Sequence, residues 1–358
     1  MEAKLFEEKL SFRAGIAILF LLFVGRVGAG HMTLGVGADA WLAMLVGFVF
    51  SIPMLLLLAR LATLLPERNL FEMLEYGFGR VIGTAFSILY CLYFFALATT
   101  VFRQAQFVQF SSLPQTPFVL IVLLFFVAGV YLASSGVQSI GKWSVLAALL
   151  VLGIAVLLTL FALPDLRMAH LSPIGSVGGD VIVGGGYGFM VAPLGEAVVL
   201  LALFGKGSKQ ERPYRTLLFG GGLGTLFLVL TFLRDRAILG GTLIENLQFA
   251  PYHAASGIGS GRLESFVTVS VLLTGFTMLG LYLFASTRAL SSVFRRREGK
   301  GLLILLAILG VGSALFLHGG ALNAFPVRTL HLQYAPVIQS AIPGLLWIVV
   351  EVKARRRM

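Results

Sequence analysis

Apolar residues run along the chain in blocks long enough to cross a bilayer, and the short stretches between them hold most of the charge. The blocks predict ten spanning helices, at about 12–35, 39–64, 81–110, 117–137, 143–163, 184–205, 214–238, 263–292, 301–318 and 335–352. Pro53 and Pro343 fall inside two of them and are expected to kink the helices without ending them. Between spans two and three, Asn69 is placed to cap a short interfacial helix with Leu70, Phe71, Leu74 and Phe78 on one face. The longest outer loop, residues 240–260, carries a glycine-rich hinge and is long enough to act as a lid or simply to connect.

Two spans depart from plain apolar helix. Span six opens on Gly184-Gly185-Gly186-Tyr187-Gly188 and continues through Pro193, Gly195 and Glu196, and span one carries Gly25-Arg26-Val27-Gly28-Ala29-Gly30. Glycine and proline weaken continuous helix, and backbone freed inside a bilayer has to find protein, water or ligand. Helices broken at matching places in two halves predict a small-molecule site near the middle of the membrane. Tight helix packing is the competing explanation for such glycines. Five spans on each side of the midpoint suit an inverted repeat. The expected architecture is therefore a single all-α transmembrane domain over 1–358, with one repeat at about 12–163 and the other at about 184–352.

Composition sharpens this picture. The chain is 58% hydrophobic and 12% charged, which makes it a polytopic membrane protein. Its formal net charge of +11 would suit nucleic acid, but the basic residues cluster in short loops, where they set topology. With both termini cytoplasmic, only Arg167, Arg236, Arg262 and Arg328 fall on outer segments, and Lys142 reads as an inner-edge residue. The first span reads as a retained helix rather than a cleaved leader. Cys91 is alone, so no disulfide within the chain is possible. His31, His170, His253, His318 and His331 all fall on the predicted outer side without metal-ligand spacing and read as surface residues, so neither metal nor cofactor is expected. Gly220-Gly221-Gly222-Leu223-Gly224 lacks the strand and the Lys-Ser/Thr of a nucleotide loop and reads as helix packing. No catalytic constellation stands out, and the chain does not read as an enzyme.

Several short motifs occur in order along nearly the whole length. They are Asp39-Ala40-Trp41, Leu70-Phe71-Glu72 with Phe78-Gly79-Arg80, Leu113-Pro114-Gln115-Thr116-Pro117, Leu194-Gly195-Glu196, Gly261-Arg262-Leu263-Glu264 and Ile342-Pro343. In this order and spacing the chain resembles the B subunits of spore germinant receptors, the endospore germination permeases of the amino acid, polyamine and cation transporter superfamily. Gly261 departs from the acidic residue usual before Arg262. The resemblance implies a LeuT-like five-plus-five fold with helices 1 and 6 broken, placed in the spore inner membrane or the cell membrane. It also implies a germinant, typically an amino acid, and partner A and C subunits.

In folds of this type a substrate carboxylate takes N–H groups at a half-helix N-terminus, and freed carbonyls take the ammonium. That points to Gly25, Gly28 and Gly30 in span one and to Gly188, Phe189, Ala192 and Leu194 in span six. Phe189 and Leu194 serve equally well as core. Tyr93 and Leu97 share a face of span three, as do Thr274, Met278 and Tyr282 in span eight, so these residues are expected to wall the pocket; a threonine hydroxyl bonded to its own helix is the alternative. Glu196, Arg26 and Arg103 are charges within the membrane, and Glu196 is expected either to pair with one of the arginines or to titrate. The reading taken is a germinant-sensing receptor subunit, with a proton-coupled amino acid permease as the alternative and a scaffold with a degenerate pocket as the third.

Overall fold

Span six divides into two helices because Pro193 has no N–H to offer the carbonyl of Phe189, four residues back. The computed structural model describes residues 10–28, 35–205, 212–247, 249–259, 262–295, 299–317 and 327–355, with side chains at 327–330 left aside. The described residues are helical and turn structure with no strand.

The first half comprises α1 (Phe12–Gly28), α2 (Ala40–Leu64), α3 (Leu70–Phe78), α4 (Arg80–Thr99), α5 (Phe102–Ser111), α6 (Phe118–Ser134) and α7 (Val137–Ala162). The second comprises α8 (Gly179–Val191), α9 (Val199–Leu203), α10 (Pro213–Leu239), α11 (Gly241–Asn246), α12 (Ala250–Ser256), α13 (Glu264–Phe294), α14 (Lys300–Phe316), α15 (Val327–Pro336) and α16 (Ile342–Arg355). Seven helical stretches are long and apolar enough to span a membrane, and α6 and α14 are shorter apolar helices. The third span is α4 and α5 joined at Thr100, and the tenth is α15 and α16 joined through a π-helical turn at Val337–Ala341.

Burial sorts the helices into layers. Residues 18–23 of α1 are inaccessible all round the helix, which only a central position explains. In the apolar window of the broken span 78% of residues are buried, against 28% in α7. Leu120, Leu124 and Val127 of α6, Leu149 and Leu160 of α7, and Ile304 and Ile308 of α14 stand exposed, as a lipid-facing layer requires. Glycines set the closest approach in the centre. A β-carbon on Gly186 would meet Val46 at 2.8 Å, and one on Gly47 would meet the Gly186 carbonyl at 2.5 Å, so α2 and α8 touch through bare backbone. Gly220 and Gly224 seat α10 on Leu19 and Phe23 of α1, as the packing reading expects.

On the α3 side, Asn69 caps α3 by accepting from Phe71 and Glu72, and Glu72 accepts from the Asn69 N–H at 2.9 Å. Leu70, Phe71 and Leu74 are buried as expected, and Phe78 partly. Lys353 donates to the carbonyls of Tyr76 and Gly77 at the end of the same helix, both at 2.8 Å. The 240–260 stretch is more ordered than a bare loop, since it folds into α11 and α12. Pro53 sits within an unbroken α2, Pro343 lies in the first turn of α16, and Lys142 is exposed one turn into α7. Gly30, His31, His318 and Gly261 lie outside the described residues.

Candidate functional site

The break in span six corrects the expected position. Gly184 to Gly188 lie inside a continuous α8, which runs to Val191; the chain leaves helix at Ala192-Pro193, re-forms as a 3-10 turn at Leu194–Val198 and resumes as α9. Gly185 and Gly186 are tolerated because α2 presses against them, and the proline decides where the helix ends. Span one is likewise unbroken through Gly25 and Arg26 to Gly28, the last described residue of that stretch, so the first of its two glycine sites is helix interior.

At the break, Val191 would give its carbonyl to Gly195 if helix continued. Instead that carbonyl accepts from Gln339 Nε2 at 2.9 Å, and the same amide nitrogen donates to the Tyr93 hydroxyl at 2.6 Å. Gln339 reaches inward from the π-helical turn of span ten. In that turn the Ile342 N–H bonds Val337, which releases the Ile338 carbonyl to accept from Tyr90 at 2.6 Å. Gly195 admits the arrangement, since a β-carbon there would collide with the Gln339 amide.

One turn further on, Glu196 is wholly buried. Arg26 Nε lies 2.8 Å from its Oε1, and the Tyr282 hydroxyl donates to its Oε2. Arg26 Nη1 donates to Thr100 Oγ1 at 2.6 Å, and that hydroxyl donates to the Leu97 carbonyl. A charge pair excluded from water is tolerated only when further hydrogen bonds complete it, and here Tyr282 and Thr100 supply them. The expected pairing of Glu196 with an intramembrane arginine therefore falls to Arg26. Arg103 is exposed, with its guanidinium 5.7 Å from the Phe102 ring centre.

The other expected residues divide between site and scaffold. Tyr93 and Leu97 are both buried on one face of α4, and Tyr93 makes the contact to Gln339. Thr274 and Met278 close on Gly25, whose hypothetical β-carbon would lie 2.7 and 2.6 Å from them. Thr274 donates to the Ser270 carbonyl at 2.9 Å, which is the own-helix alternative. Phe189 is core: it packs on Gly47 of α2. Ala192 lies in the break, Leu194 is buried at the start of the 3-10 turn, and Gly188 is sparsely surrounded, with Leu332 at 4.0 Å from its would-be β-carbon.

Four participants escaped sequence reading. Thr100, Gln104 and Gln339 are ordinary polar residues until the fold brings them to the break. Gln104 donates to the Gly25 carbonyl at 3.1 Å, and its Oε1 is buried without a partner. His331 corrects the surface reading given to all five histidines: it stacks on Tyr93 with ring centres 6.3 Å apart, and its Nε2 is buried without a partner. Its place four residues ahead of the tenth apolar run was the available signal. Among the described residues no cluster of His, Cys, Asp or Glu could hold a metal ion.

A bundle with its sixth span broken against a central first span, and polar side chains converging on the break, defines a LeuT-like transporter fold. Solved structures agree. A nucleobase-cation-symport-1 family transporter, in a closed conformation with bromovinylhydantoin bound, superposes with a TM-score of 0.73 at 16% identity, covering 98% of this chain and 80% of that one. A Na+-coupled sialic acid symporter superposes with a TM-score of 0.68 at 14% identity, covering 96% and 79%.

Within that fold the chain belongs to the spore germination protein family of permeases, whose model matches residues 11–317. Spore germination protein KB of Bacillus subtilis (strain 168) is 24% identical over 90% of this chain and 89% of its own length. Spore germination protein A2 of the same organism is 25% identical over 88% and 87%. The protein is thus a multi-pass membrane protein of a germination permease family.

Proposed function

We propose that this chain is a germinant-sensing receptor subunit that binds a small molecule, most simply an amino acid, between α1 and the break in span six. The observation that carries this reading is the Arg26–Glu196–Tyr282 network at the break, where Glu196 occupies the guanidinium as a carboxylate ligand would. The ligand's carboxylate takes Arg26 in exchange for Glu196, and its ammonium takes Glu196 together with the open Gln104 Oε1. Because the same atoms hold α1, the broken sixth span, the α4–α5 junction at Thr100 and α13 together, exchange of partners changes the packing of the helices. A ligand shifts that packing only by its differential affinity for the two arrangements. In this reading both termini are cytoplasmic, the membrane is the spore inner membrane, and A and C subunits receive the change. The two repeats run over about 12–163 and 184–352.

Binding by the purified chain in lipid nanodiscs, screened over the common amino acids by thermal stabilisation, tests the site. A stabilising amino acid whose effect disappears in Arg26→Gln supports it; stabilisation indifferent to that change defeats it. The transporter fold and the buried Glu196 favour one second reading, proton-coupled uptake. Saturable uptake by reconstituted vesicles of the isolated chain decides for a permease, and binding without uptake for a sensor.

A further inference from the structure

At the helix break the polar side chains bond to one another and to the freed Val191 carbonyl. A half-open cavity of about 70 Å³ lies among α1, α7, α10 and α13, with Pro251 of α12 also lining it. A single water needs about 10–15 Å³ measured in this way, so the cavity has room for roughly five to seven atoms of that size. Val24, Val151, Ile154, Phe227 and Val271 make most of its wall apolar.

One end is polar. Arg234 lines the cavity and is 7% exposed. Its Nε and Nη2 both go to Asp235 Oδ1, at 2.9 and 2.6 Å, while its Nη1 has no acceptor among the described groups. The Thr231 hydroxyl, one turn back on α10, also lines the space and bonds no described group. Ser270 and Thr274 line it too, but their hydroxyls are committed to their own helix.

We infer that this cavity is a second binding site, for a small uncharged molecule with a short alkyl body and one hydrogen-bond acceptor, such as a ketone. Arg234 and Asp235 neutralise one another, so the wall offers donors without net charge. An ion brought here would lose its hydration against hydrocarbon with one or two polar contacts in return. A neutral carbonyl needs only Nη1 and the Thr231 hydroxyl, and its alkyl part replaces void with contact. The two sites thus differ in chemistry: a charge network at the break, and a neutral amphiphile behind it. They share Thr274, whose Cβ would lie 2.7 Å from a β-carbon on Gly25, so an occupant of the cavity bears on α1 directly. The inference stands on this geometry and not on the proposed function.

The test uses the full chain in lipid nanodiscs with pentan-3-one as probe, followed by saturation-transfer NMR. Saturable binding is expected, weakened at least about tenfold in Ala155→Phe, whose ring occupies the cavity, and several-fold in Thr231→Val, which keeps the shape and removes the donor. Pentanoate, of similar size but anionic, is expected to bind at least about tenfold more weakly than the ketone. Binding of the ketone that persists in Arg26→Gln places it apart from the site at the break. Uptake that rises without saturation, as partitioning into lipid does, overturns the inference. So does saturable binding that Thr231→Val and Ala155→Phe leave unchanged, or equal binding of pentanoate.

Discussion

Arg26 and Glu196 sit where little water reaches, and removing either strands the other. Glu196 is fully buried and Arg26 is 17% exposed, so the cost of an orphaned charge outweighs the modest net worth of the pair itself. Arg26→Met is therefore expected to destabilise the protein by about 3–5 kcal/mol, and the double change with Glu196→Met to recover most of that loss. Thermal unfolding of the two single variants and the double variant in one detergent gives the cycle; strictly additive losses would show that the two groups do not act as a pair. Gly195 makes a second prediction at this scale. Alanine there drives its methyl group into the Gln339 amide, which then releases Tyr93 and the Val191 carbonyl. Loss of ligand binding is expected with a fall in stability of about 1–3 kcal/mol, the range for forced contacts in a packed interior. Thermal shift with and without ligand reads both effects.

At the scale of elements, proline placement governs what the helices offer one another. Pro193 ends α8 and frees the Val191 carbonyl, and Pro343 lies just beyond the π-helical turn that turns Gln339 inward and frees Ile338 for Tyr90. Pro343→Ala supplies an N–H in the first turn of α16 and favours regular α-helix through 337–341, rotating Gln339 out of the site. Ligand affinity is expected to fall at least about tenfold, the equivalent of one lost buried hydrogen bond to a polar group. Unchanged affinity would show that the turn is held by packing alone.

How much of this was legible follows from the range of the interactions involved. Hydrophobic run length, a capping residue and a proline inside an apolar run are local signals, and they made the spans, the capped α3 and the existence of a break in span six legible. The break's position was misread because glycine content resembles unwinding in sequence, whereas α2 clamps Gly185 and Gly186 as helix. Choosing Arg26 over Arg103, and finding Gln339 and His331, required contacts between residues dozens to hundreds of positions apart. No period or motif encodes those.

The whole molecule is tied across its α12 side by Arg236 and Asp39, two buried residues that no candidate site included. Arg236 donates to the carbonyls of Ala38, His170 and Pro173 at 2.7, 3.2 and 2.8 Å. Asp39, 3.7 Å from the same guanidinium, accepts from the N–H groups of Gly175 and Ser176 and from the Ser176 hydroxyl. The end of α10, the 163–178 segment and the start of α2 are thereby one body. A lysine has the charge but not the planar fork that reaches three carbonyls in different directions. Arg236→Lys is accordingly expected to open the 163–178 segment while leaving the transmembrane core intact. Hydrogen exchange there should rise at least about tenfold, since each lost bond to a charged group is worth about 1.5–3 kcal/mol. Because α2 also touches α8 through Gly47 and Gly186, loosening at this end should reach the break. Faster exchange in both 163–178 and 188–196 would mark the tie as coupled to the site; faster exchange in 163–178 alone would mark it as a local fastening.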